Sequence, residues 1–166
     1  MTEADFRSIF REHKDAVYRF AWRMTGSASG AEDVTQDCFL ALLRAPERFD
    51  AGRGPIRAFL VGVARNLILK RWRTESRWDP LEDDVFVAEP LEPERKETAE
   101  LVAQAVGLLP PLQREALILA EYEEMTLEEI ARAVDAEVGT VKARLHRARE
   151  NLRRILAPLR RSTCKI

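Results

Sequence analysis

Apolar residues return every three or four positions along most of this chain, and no stretch alternates apolar with polar. Phe6, Ile9, Phe10, Val17, Phe20 and Ala21 trace the stripe of an amphipathic helix. TGSASG, residues 25 to 30, interrupts it. A second helix is expected from Ala31, with Glu32 and Asp33 near its positive N-terminal end and Val34, Cys38 and Leu42 facing inward. The proline-bracketed loop PERFDAGRGP, residues 46 to 55, precedes a third helix over roughly 55 to 74. Its stripe is Ile56, Leu60, Val63 and Leu67, with Arg65, Asn66 and Arg73 lying off it.

Periodicity then lapses. Residues 76 to 95 hold three prolines and many acids, the pattern of an extended linker between domains. Helical spacing resumes from Thr98 to Leu108, and again from Pro111 to Leu119 after the break at LPP. TLEE, residues 126 to 129, fits a capping box in which Thr126 and Glu129 serve each other's backbone N–H. The reading is an all-α chain. It has an N-terminal helical bundle over 1–75, a flexible acidic linker over 76–97 and a C-terminal helix-turn-helix domain over 98–160.

Residues 126 to 149 carry that last assignment. One helix, Leu127 to Val134, offers Ile130, Ala131 and Val134 to a core, and a short turn follows at Asp135 and Ala136. A second helix buries Val141, Leu145, Ala148 and Leu152. Gly139, Ala143, His146 and Arg147 then point away, flanked by Lys142 and Arg149 on one side and by Thr140 and Arg144 on the other. A basic second helix after a capped first one is the layout that enters a DNA major groove. Early exposed positions read bases, and long cations reach phosphates and set register.

Charge sharpens this picture only through its distribution. The formal net charge is −1, too balanced for a protein that coats nucleic acid indiscriminately. Seven Lys or Arg lie within 53–77 and nine within 138–165, and nine acids fill 79–100 between them. No run of about 18 apolar residues marks a membrane span, and the charged N-terminus lacks a signal-peptide layout, so a cytoplasmic protein that does not insert in membranes is expected. Cys38 reads as a small packed hydrophobe and Cys164 as an exposed thiol in the tail. Only His13 and His146 are available as histidines, and no nucleophile–base spacing, phosphate-cradling glycine loop or metal cluster accompanies them. Neither catalysis nor a cofactor nor a metal is expected.

Two blocks of sequence resemble a known family. LPPLQREA, EEIA and VGTVKARLHRARENLR, within residues 109 to 156, resemble the promoter −35-binding domain of extracytoplasmic function (ECF) sigma factors. AEDVTQDCFLALLR, FDAGRGPIRAFL and ARNLILKRWR, within residues 31 to 73, resemble that family's other domain, which holds core RNA polymerase and opens the −10 element. The resemblance implies that Asp33, Gln36 and Asp37 dock on polymerase. It implies that the loop Phe49 to Gly54, with Phe49 and Asp50, captures an unstacked −10 base beside a groove of Arg53, Arg57, Arg65, Asn66, Lys70 and Arg73. Trp72 is a candidate for DNA stacking, although a helix tryptophan more often packs. The partners implied are core RNA polymerase, promoter DNA and an anti-sigma factor. Asp135 stands where the family often has glycine, and Asp tolerates a left-handed turn. A stand-alone helix-turn-helix regulator is the alternative, but it leaves residues 31 to 73 without a role.

Overall fold

The computed structural model describes residues 1–75, 79, 85–92 and 97–159. Among these residues helices are the only regular elements, with no strand. Helix α1 (Glu3–Thr25) opens on a capping box: Thr2 Oγ1 accepts from the Asp5 N–H at 3.1 Å, and the Asp5 carboxylate accepts from the Thr2 N–H at 2.9 Å. These bonds from Thr2 hold the Asp5 carboxyl below its ordinary range. Gly26, at φ +68°, ends the helix in a left-handed cap and donates to the Trp22 carbonyl.

Helix α2 (Ala28–Arg44) starts at once, because Ser27 Oγ caps the Gly30 N–H at 3.1 Å. It therefore begins three residues before the expected Ala31, and Glu32 and Asp33 fall outside its first turn. Two short 3₁₀ turns, Pro46–Arg48 and Ala51–Arg53, lead to α3 (Ile56–Thr74). Helices α4 (Thr98–Leu108), α5 (Pro111–Glu121), α6 (Leu127–Ala133) and α7 (Val138–Ile155) follow.

The first three helices close around Phe20, Met24, Val34, Cys38, Leu42, Leu60 and Ile68. Cys38 packs as expected. Its thiol donates to the Leu60 carbonyl, and burial pushes its pKa up to about 12. Helices α4 to α7 close around Leu109, Ile118, Leu119, Ile130, Val141, Leu145 and Ile155. A buried Asn151–Gln113 hydrogen bond of 2.8 Å crosses from α7 to α5.

These two groups of helices also pack on each other, and their buried residues form one contiguous cluster. The consequence is clearest on α3. In place of the single stripe Ile56, Leu60, Val63 and Leu67, this helix buries Leu60, Val61, Gly62, Ala64, Ile68 and Leu69. Its second face meets α6 at Gly62: a Cβ there would lie 3.5 Å from the Ala133 carbonyl oxygen.

The described part of the acidic segment is fastened as well. Ala88 is buried, Phe86 and Leu91 pack against the core, and the Leu91 N–H donates to the Ile155 carbonyl at 2.9 Å. Arg77, the linker residues Glu82, Asp83, Asp84, Glu94, Arg95 and Lys96, and Cys164 in the tail lie outside the described residues.

Candidate nucleic-acid interface

Helices α6 and α7 form the helix-turn-helix. Thr126 Oγ1 accepts from the Glu129 N–H at 3.2 Å, which is half of the anticipated capping box. Glu129 instead lines a cleft against the loop before α3. Asp135 takes φ +51° in the turn, and the Ala136 N–H closes it on the Ala131 carbonyl at 3.0 Å. Val141, Leu145 and Ala148 are buried, which fixes the outward face of α7. Thr140, Lys142, Ala143, His146, Arg147 and Arg149 are exposed along it and Arg144 is half-buried. Arg149 is tied to Glu121 at 2.6 Å, and His146 lies 3.3 Å from Glu150. The rest of the face is exposed, and its polar and cationic side chains are of the kinds that hydrogen-bond base edges and phosphates.

The loop before α3 is built as a small cleft of about 330 Å³, walled by Phe49, Asp50, Arg53, Phe59 and Asn66 on one side and by Glu129 and Arg132 on the other. Phe49 is half-buried and tilts against Phe59, with centroids 5.5 Å apart. The Asp50 carboxylate accepts from the Gly52 N–H at 2.9 Å and so shapes the turn. The Arg53 carbonyl is held by the Arg132 guanidinium of α6. An aromatic pair with adjacent amide and guanidinium donors suits a flat base.

The cations of α3 are arranged less uniformly than their sequence implies. Lys70 and Arg73 are exposed, as is Asn66, whose Oδ1 accepts from Arg65. Arg65 turns toward α5 and grips Glu115 with two bonds, 2.7 and 3.0 Å. Arg57 likewise pairs with Glu123, whose side chain is almost fully buried. Trp72 packs at the same seam, beneath the Arg114 guanidinium. Arg114 also donates to the carbonyls of Met24 and Leu109, and Arg23 stacks over Tyr122.

On α2, Asp33 and Gln36 are exposed, and Asp37 is half-buried in an ion pair with Arg71 at 2.8 Å. These three residues thus share one helix side without all being unoccupied. Sequence reasoning missed Glu115, Glu123, Arg114 and Arg132. Each has its partner across the seam fifty or more positions away in the chain.

No helix among the described residues is long and apolar enough to cross a membrane. Among those residues no cluster of three or more His, Cys, Asp or Glu could hold a metal ion.

Comparison with known proteins agrees with this layout. Residues 9–77 match the family model for sigma-70 region 2, and residues 99–152 match that for sigma-70 region 4. The ECF RNA polymerase sigma factor SigW of Bacillus subtilis is 31% identical over 169 residues, spanning 93% of this chain and 90% of SigW. SigE of Mycolicibacterium smegmatis, an ECF RNA polymerase sigma factor, is 33% identical over 156 residues. That match covers 90% of this chain but only 60% of SigE. Among solved structures, the sigma factor RpoE in complex with the anti-sigma factor NepR from Bartonella quintana superposes with a TM-score of 0.74. It is 26% identical, and the match covers 92% of this chain and 97% of that one. CnrH, solved with the cytosolic domain of CnrY, gives a TM-score of 0.67 at 25% identity, covering 91% and 86%. The paired regions define a sigma-70-type protein. Within that class, this chain belongs to the ECF RNA polymerase sigma factors.

Proposed function

We propose that this chain directs promoter-specific initiation by joining core RNA polymerase through α2 and contacting promoter DNA at two places. Asp33, Gln36 and Asp37 lie on the polymerase-facing side of α2. The cleft around Phe49 and Asp50 takes an unstacked −10 base, and Arg53, Arg57, Arg65, Asn66, Lys70 and Arg73 follow the single strand. Thr140, Lys142, Ala143, Arg144, His146, Arg147 and Arg149 read the −35 element. The observation that carries this reading is the occurrence of region 2 and region 4, in that order, with the second ending in an exposed basic recognition helix.

Two weak DNA sites on one chain act together once polymerase sets their spacing, because the second contact is then made at high effective concentration. Near-zero net charge keeps the free chain from binding DNA generally. Control by an anti-sigma factor is part of the proposal, supported by the resemblance to RpoE and CnrH, each solved with a partner. The role is one of specificity rather than catalysis.

The test is transcription from genomic fragments by core RNA polymerase reconstituted with the chain, with start sites mapped. Discrete starts sharing upstream elements are expected, and Arg144→Ala with Lys142→Ala should abolish them. Starts that do not depend on the added chain would refute the reading.

A further inference from the structure

We infer that Glu115 and Glu123 close the −10 groove of the free chain by occupying Arg65 and Arg57, so that the helix-turn-helix module is a built-in inhibitor of single-strand binding. This rests on the groove assignment proposed above.

Both acids are buried and both come from the far module. Glu115 is 1% exposed, and it meets Arg65, whose side chain is 12% exposed, through two parallel bonds. Glu123, from the loop after α5, takes Arg57 through a single bond of 2.5 Å and leaves that side chain 44% exposed. A guanidinium fork accepts a carboxylate or a phosphate with the same geometry, so each acid stands where a DNA phosphate would bind. Arg65 is shut from a DNA strand while Glu115 holds it, and Arg57, though half open to solvent, has its guanidinium charge taken up by Glu123. Neither acid can be left behind in the interior without its cation, so the exchange requires the modules to part.

The seam around these pairs is closed on three further counts. Arg132 holds the Arg53 carbonyl and walls the base cleft. Arg114 bridges to Met24 and lies over Trp72. At Gly62, α3 packs directly against the Ala133 backbone of α6. On the outer face of α7, Thr140, Lys142 and Ala143 stay exposed, so the closure falls mainly on the −10 side.

The contact at Gly62 also supplies the test. A Cβ at Gly62 would sit 3.8 Å from the Ala133 Cβ, the separation a disulfide needs. Four proteins, all carrying Cys164→Ser, are compared: the parent, E115Q/E123Q, G62C/A133C and the variant combining both pairs. Binding of the free chain to a fluorescent random single strand of about 12 nucleotides is followed by anisotropy. Circular dichroism checks that each is folded.

E115Q/E123Q should bind at least tenfold more tightly than the parent. Removing two acids favours DNA in any case, so the combined variant decides: oxidation should cancel the gain, and reductant should restore it. A gain that survives oxidation overturns the inference, and so does the absence of any gain. Failure of G62C/A133C to form its intramolecular disulfide under mild oxidant overturns it too, because the modules would not be packed in solution. Adding R57A/R65A to E115Q/E123Q separates the two readings. Unchanged DNA binding there would sink the groove assignment itself, and lost binding with a gain that resists oxidation would sink only the closure.

Discussion

Arg65 and Glu115 lie fifty positions apart and meet through two N–H···O bonds, 2.7 and 3.0 Å long, at the seam between the two groups of helices. A pair this buried adds little net stability when intact, but either half alone is costly in the interior. Arg65→Ala strands Glu115, and should lower unfolding free energy by about 3 kcal/mol in urea. A loss under about 0.5 kcal/mol, the range of an ordinary surface change, would mean that the pair is not formed in solution.

Glu124 adopts φ +52° in the bend after α5, in the left-handed region that costs a side-chain-bearing residue about 1–2 kcal/mol. It is exposed, so little packing is lost with its side chain. Glu124→Gly should raise stability by about 1 kcal/mol, offset in part by the greater freedom of glycine in the unfolded chain. A lower melting temperature would contradict the assigned backbone.

Cys38 is fully buried and its thiol is pushed up to about 12, so it stays protonated and shielded across neutral pH. In a Cys164→Ser background, a maleimide should label nothing at pH 8 until denaturant is added. Prompt labelling of the folded chain would show that the N-terminal helices open more readily than their packing implies.

Lys142 is exposed on the outward face of α7, and in the proposed function its long cationic side chain reaches a phosphate. Lys142→Ala should weaken promoter binding across all sequences, and should cut the slope of log K against log salt by about 0.9. Thr140→Ala should leave the slope intact and relax preference at one base pair. A slope unchanged by Lys142→Ala would remove that residue from the DNA contacts.

Much of this was visible in the residue pattern, and the exceptions share a cause. The helix-turn-helix, the left-handed Asp135 and the packed Cys38 depend on neighbours within a turn or two, or on one amphipathic face. The start of α2 was misplaced because Gly26 alone ends α1, leaving Ser27 to cap the next helix; TGSASG looked like one longer break. The second buried face of α3 was hidden because its contact with α6 is made at Gly62, which adds nothing to an apolar stripe. Arg57 and Arg65 look alike in sequence whether they point to solvent or to an acid, and their acids lie sixty-six and fifty positions away.

The central claim is best tested by the affinity of the intact chain for core RNA polymerase. The account predicts a one-to-one complex, weakened at least tenfold by Asp33→Lys on the exposed side of α2, with helical content and melting unchanged. No complex with core polymerase, from a chain that binds DNA specifically on its own, would contradict it and make the protein a stand-alone regulator.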